Sequence, residues 1–429
     1  MRFLGLEIKR ARKTAVRNYA GAKNSNLTAD WMTTNLVADE ILKWALPVLR
    51  ARSRDLSMNN DYMKNFLRKL KVNVVGPQGI GLQVKARNAK GEIDKTANQQ
   101  IEDAWRTFCK PQNASVCTTQ SLTDLTNTAI EAVARDGEVL IRKVKGYDNP
   151  FRFSLQLIEA DHLDEKLNAQ LPNGNRIRMG IEKNEWGRPV AYYLFKNHPG
   201  DLSAAAGQRH IRIPADEIIH AYLKERPTQS RGVPWAHTAI LRLRHLGAYE
   251  EAAVVNARIG ASKMGFIIEP EKEGEYQGDA KDASGNTISE VEPGVLEKLA
   301  FGSDFKEFQT TYPNGEFPAF NKAMLRGISS GLGCSYNSLA NDLEGVNFSS
   351  LRSGLLEERD GWKALQQWFI TVILDAIFPE WLSMAILSGQ LKFSPAEINR
   401  LSVPKWQARR WDWVDPLRDV KARREEMDA

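Results

Sequence analysis

Apolar residues change their spacing several times along the chain, and each change predicts an element. Between Thr33 and Val75 the period is helical: Leu36, Ile41, Ala45, Val48 and Leu49 fall near one stripe, followed by Met63, Phe66, Leu67 and Leu70. "NVVGPQGIGLQVKAR" is broken by Gly76, Pro77, Gly79 and Gly81, which predicts strand–turn–strand. Helical spacing returns over Asn98–Phe108 and Ser121–Arg135. A strand pair follows in "GEVLIRKVKG" and "FRFSLQLIEADHLD", then two strands joined across Asn184–Pro189, then a short strand in "IPADEIIHAYL". Pro234 suits a first helical turn and predicts a helix to about Ser262, with Ile240, Leu243, Gly247, Val254 and Ala257 on one face. Phe317, Phe320, Met324 and Ile328 mark another helix, and a polar, glycine-punctuated interval leads to a long one from Ser350 to Phe378. That helix has Leu351, Leu355, Trp362, Leu365, Phe369, Val372 and Ala376 on its stripe and should stop at Pro379. At ~1.5 Å per residue it spans roughly 43 Å. Further on, Ser394 and Glu397 have the spacing of a capping box, and Asp415-Pro416 opens a last helix. Helices mixed with antiparallel-looking strands predict an α+β fold.

Charge changes this picture locally. The formal net charge of +6 over 429 residues is modest and does not demand nucleic acid. Residues 1–30 are basic, with Arg2, Lys9, Arg10, Arg12, Lys13, Arg17 and Lys23 against Glu7, which suits a solvated arm or one that neutralises phosphates. Residues 269–316 hold twelve acidic residues against four lysines and read as a solvated insert between two helices. Arg50, Arg52 and Arg54 alternate with small residues, as surface ion-pair partners do. Three cysteines, Cys109, Cys117 and Cys334, make no framework and suggest reduced thiols in a cytoplasmic setting. No apolar run approaches the ~20 residues that span a bilayer, and no secretory signal is evident.

Candidate chemistry is sparse. The sequence has no P-loop, no H-E-x-x-H, no C-x-x-C and no G-x-S-x-G, so neither an enzyme nor a cofactor is expected. Asp161 and His162 are adjacent, and on a strand they would point to opposite faces.

Several segments, kept in one order, resemble the lambda-type bacteriophage portal proteins, which connect head and tail. They are "LRARSRDLSMNN", "LIEADHL", "GIEKNEWGRPVAY", "RGVPW", "EPGVLEKLAFGSDFKEF" and "ISSGLGCSYNSLANDLEGVNFSSLRSGLLEERDGW". The resemblance implies a portal-like fold: a basic arm (1–30), an α/β wing (31–233), a stem helix (234–263) and a small α/β clip (264–316). A second stem helix (317–333), a tunnel loop (334–349), a long wing helix (350–384) and a short helical crown (385–429) would follow. It implies a ring of about twelve copies at one capsid vertex of the virion, assembled in the host cytoplasm. Its partners would be the terminase large subunit, the major capsid protein, head-completion or adaptor proteins and passing double-stranded DNA, with no membrane. On that reading Lys322, Arg326, Asn341, Asp342, Glu344 and Asn347 would face DNA. Glu290, Glu292, Glu297 and Asp304 would meet the motor or connector, and the small residues Ala253, Ala257 and Gly260 would pack the ring. A virion scaffold or nucleic-acid-binding protein without a channel, gripping by its basic arm, is the alternative.

Overall fold

The computed structural model describes residues 35–202, 209–261, 315–345 and 347–411, with short pieces at 2–3, 6–7, 26, 33, 265–268, 280–281, 287–288 and 304–307. Most of the basic arm, most of the acidic insert and the helix expected after Asp415 lie outside the described residues.

Strands β1 (Arg2–Phe3) and β2 (Leu6–Glu7) form a two-residue ladder. Helices α1 (Ala38–Asn59) and α2 (Asp61–Leu70) meet at Asn60, whose extended backbone closes one and whose side chain accepts from the Met63 N–H to open the other. A π turn at Lys71–Val75 extends α2. Then come β3 (Gly81–Val84), α3 (Lys95–Phe108), α4 (Pro111–Ala114) and α5 (Leu122–Asp136), the last opened by a Ser121–Asp124 capping box. Eight strands follow: β4 (Glu138–Lys145), β5 (Phe153–Ile158), β6 (Ala169–Gln170), β7 (Arg176–Arg178), β8 (Ile181–Lys183), β9 (Pro189–Phe195), β10 (His210–Pro214) and β11 (Ile218–Tyr222). They make two antiparallel sheets, ordered β11-β4-β5 and β10-β9-β8-β7-β6.

Helix α6 (Ile240–Ala261) leads to β12 (Gly265–Ile268), β13 (Ala280–Lys281), β14 (Thr287–Ile288) and β15 (Asp304–Glu307), with β12 paired to β15. Helix α7 (Phe317–Leu332) lies antiparallel to α6. Thr238 donates to the Gly331 carbonyl at 3.2 Å, while Tyr249, farther along α6, stacks on Phe317 and touches Phe320. After α8 (Tyr336–Ala340), one rod runs through α9 (Phe348–Phe369), a π turn at Ile370–Leu374 and α10 (Asp375–Leu387). Helix α11 (Ile398–Leu401) precedes β16 (Pro404–Gln407), which returns to pair with β3.

The main core gathers α2, α3, α5, α10 and the inner face of the β4–β5 pair. Trp381 is fully buried, edge-on to Trp105 at 4.8 Å, with Phe108, Phe151 and Phe378 around it. Rings of this size each bury roughly 150–250 Å² and prefer such tilted contacts. A second, smaller core of Leu140, Leu163, Ile181, Tyr192, Leu194, Ile213 and Ile218 sits under the five-stranded sheet.

The mixed helix-and-sheet class agrees with the sequence reading, and several local expectations do not. Val74 and Val75 belong to the π turn, not to a strand: the wide turn buries both, and the Gly76 N–H closes it on the Lys71 carbonyl at 3.0 Å. Helix α6 begins at Ile240, six residues after Pro234, because Trp235 donates to Ala134 and the next residues turn tightly on themselves. Pro379 does not stop the rod: it lies within α10, five residues past the end of the π turn, and the apolar residues around it, Ile377, Phe378, Trp381 and Leu382, are buried in the core. The segment Arg352–Leu387 is in fact long and apolar enough to cross a bilayer by length and composition, but half of its apolar window is buried within the chain. On α1 the inward stripe is Leu42, Leu46, Arg50 and Ser53, whereas Leu36 and Val48 are exposed. The region after residue 385, expected to be helical, ends among the described residues in a strand.

Candidate functional site

Two charged groups stand out. The first joins the middle of α7 to the loop after α8. Lys322 and Arg326, one turn apart, both lie against the Tyr336 ring, at 5.7 and 5.8 Å from its centre. Tyr336 starts α8 because Ser335 caps it, and Asn341 ends it in the left-handed conformation at φ 53°. That reversal brings Asp342 back onto Tyr336, whose hydroxyl donates to its carboxylate at 2.6 Å. Lys322 Nζ lies 3.3 Å from the same carboxylate, and the Glu344 N–H donates to it at 2.9 Å. The tyrosine hydroxyl, the Glu344 amide and Lys322 together hold the Asp342 carboxyl below its usual range. Desolvation, with Asp342 beside it, pushes the Tyr336 hydroxyl up to about 12. Arg326 is exposed and has no carboxylate partner among the described residues.

The structure therefore brings three of the six expected DNA-facing residues, Lys322, Arg326 and Asp342, onto one aromatic ring that sequence reasoning passed over. The signal was present: Tyr336 is the lone ring in the polar run "GCSYNSLAND". Asn347 lies past residue 346, which is outside the described residues, and Asn341, Glu344 and Asn347 are exposed.

The second group is buried and draws on three of the segments that carry the resemblance, with Arg50 and Arg54, Asp161, and Arg231. Arg231 is fully buried and donates to Glu138, also fully buried, at 2.7 Å; its other nitrogens reach the Ala160, Leu163 and Met179 carbonyls. Arg50 reaches Glu138 at 3.1 Å and Glu165 at 2.6 Å, and Arg54 binds Asp136 and Asp161. Arg135 pairs with Asp136 at 2.7 Å, and His220 meets Glu138 at 2.8 Å. Four guanidiniums thus face four carboxylates. Burial opposes ionisation of Glu138, but Arg231 and His220 overcome it and hold the carboxyl far below its usual range. Burial also keeps the His220 imidazole below its ordinary value despite Glu138. Arg50 is therefore not the surface ion-pair partner that the alternating pattern suggested: it is 2% exposed.

Next to this cluster two backbones cross. Gly137, the left-handed cap of α5 at φ 94°, meets Gly232, where an added Cβ would lie 2.0 Å from the Gly137 carbonyl oxygen. Helix α1, the end of α5, strand β4 and the segment leading into α6 are fastened at this point.

The remaining candidates fare differently. Ala253 is 6% exposed within the single chain. Ala257 is half-buried, and Gly260 is described only as backbone in the last turn of α6. Glu290, Glu292 and Glu297 lie outside the described residues, and Asp304 is described only as backbone, at the start of β15 opposite Ile268. Asp161 and His162 sit on a 3-10 turn, not a strand, and still diverge: His162 Nδ1 meets the Phe195 carbonyl at 2.9 Å. Glu159, Asp161 and His198 offer ligand atoms within 4.8 Å of one another, but Asp161 is already engaged by Arg50 and Arg54.

A family model for phage portal proteins of the lambda family matches residues 24–366. A protein described as a "Probable portal protein" of Halomonas phage phiHAP-1 is 39% identical over 419 residues, 96% of this chain and 81% of that protein. Portal protein B of Escherichia phage lambda is 20% identical over 425 residues, 87% of this chain and 76% of that protein. Among solved structures, a chain in the neck of an empty gene transfer agent particle, computed with C6 symmetry, has a TM-score of 0.45 at 17% identity. That match covers 77% of this chain and 82% of the other.

Proposed function

Because the chain belongs to the lambda family of phage portal proteins, the channel proteins of the capsid vertex, we propose that its Tyr336-centred group lines that channel and meets passing double-stranded DNA. The observation that carries this is the charge arrangement: Lys322 is occupied by Asp342, leaving Arg326 as the exposed cation on the ring. Each phosphate a protein neutralises releases counterions and adds affinity, so a bore through which DNA must slide should hold few phosphates firmly. A tyrosine platform with its lysine already paired meets that need.

On this reading α6 and α7 are the two stem helices, residues 31–233 with the long rod form the wing, and residues 264–316 form the clip. The acidic insert recruits the terminase large subunit and later the head-completion proteins, since charge of one sign repels itself across a symmetric contact. The wing side meets the major capsid protein, the ring has twelve copies, and it assembles in the host cytoplasm before joining the virion.

The experiment is a double charge reversal, Asp342→Lys with Glu344→Lys. Rings should form normally and bind DNA more tightly at low salt, yet package or retain it poorly in vitro. Normal packaging beside normal ring yield would place this loop away from the channel.

A further inference from the structure

Helix α1 carries an apolar stripe that the described residues leave uncovered. Val37 is 49% exposed, Trp44 75%, Val48 48% and Met58 72%. At 3.6 residues per turn these positions share one face. The helix cannot roll to hide them, because Arg50 on its other side is locked to Glu138 and Glu165. A stripe of this kind on a single chain marks a contact surface.

The charges around the stripe say what covers it. Glu40 is paired with Arg178, and Asp55 accepts from Asn59. Arg52 remains exposed and without an acidic partner among the described residues, and Lys43 lies only over the Trp44 ring. The long rod presents the reverse combination. Leu356 on α9 is 46% exposed and Leu343 before it 63%. Asp360 is paired with Lys363 and Glu358 accepts from Ser335, which leaves Glu357 exposed and without a cation among the described residues.

We propose that α1 of one copy docks against the α9 face of the next, with Trp44 and Val48 against Leu356 and Arg52 opposite Glu357. The partner is a second copy of this chain, met head to tail. Two different faces with opposite residual charge suit a head-to-tail contact, which closes into a ring when the rotation between copies permits. This rests on the ring reading above and names the surface that closes the ring.

The full-length chain is the material for the test, followed by native mass and negative-stain imaging. Trp44→Ser with Val48→Ser removes exposed side chains only, so the chain should keep its circular dichroism and unfolding midpoint while rings fall to monomers. Arg52→Glu and Glu357→Arg should each raise the concentration at half assembly about tenfold. Combining the two reversals should bring it back toward wild type. Wild-type ring yield from the serine double variant would overturn the proposal, as would charge reversals that change nothing or that fail to rescue each other. A wild-type chain that stays monomeric at all concentrations would overturn the ring itself, and this contact with it, which separates the two failures.

Discussion

Glu138 and Asp342 are both carboxylates held below their usual range by a cation and a neighbouring side-chain donor, yet one is fully buried and the other half-exposed at the end of a five-residue helix. Glu138 belongs to a balanced set of four guanidiniums and four carboxylates in which each member is committed to another. Asp342 belongs to an open set in which water can replace any partner. The difference teaches that burial, more than the pairs themselves, decides whether charge makes a clamp or a working surface. In the interior a charge without its partner is strongly destabilising, whereas at the surface a pair contributes little to stability and its value lies in what it can exchange.

Breaking the buried side should have the largest effect. Glu138→Ala strands Arg231, takes one carboxylate from Arg50 and should cost about 3–5 kcal/mol of stability, read by denaturant unfolding. Asp342→Ala should leave the unfolding midpoint unchanged within the measurement. Equal losses in the two variants would erase the distinction. Gly232→Ala, which drives a methyl into the Gly137 carbonyl, should follow at about 1–3 kcal/mol or more and should disturb the approach to α6.

Acid sharpens the contrast. Burial holds His220 below its ordinary 6.5, so the unfolded chain takes up that proton first. Stability is then full above about pH 6.5 and falls as pH drops toward the folded value. Glu138 adds the same sign lower down, its contribution present above 4.5 and lost as pH falls toward its depressed folded value. Thermal midpoints across pH 4 to 8 should therefore decline toward acid, and His220→Gln should flatten the upper part of that decline. The smallest expected change is Tyr336→Phe: stability holds, while the Asp342 carboxyl, followed by NMR, moves up toward its ordinary 3.8.

Much of the open site was legible because it is local. Lys322 and Arg326 stand four apart on a helix whose apolar spacing is plain, and the glycine and asparagine run after it announces a turn. The hairpin at Asn184 and the helix that starts at Ser121 were equally readable from turn and periodic signals. The buried clamp was not, because apart from the adjacent Arg135 and Asp136 its pairs join residues 82 to 115 apart, and no window of sequence contains both partners. One clue was there: Arg50 lies one turn beyond Leu46 on the stripe that goes inward, so reading the period through the charge would have buried it. The two π turns hide for a different reason, since each inserts an extra residue into the helical period and shifts the stripe beyond it.

The clamp also sets a timetable for the chain as it is made. Glu138 and Arg231 are 93 residues apart, so while the polypeptide leaves the ribosome the first carboxylate waits for its principal cation. At roughly 5–20 residues per second the wait is about 5–20 seconds. Until then Arg50 is the sole arginine on Glu138, and α1, α5 and β4 close around a carboxylate that still lacks its second guanidinium. The first half of the protein therefore commits to its shape in a single late event, when Arg231 emerges, and a nascent chain stalled just short of it should still be open to protease.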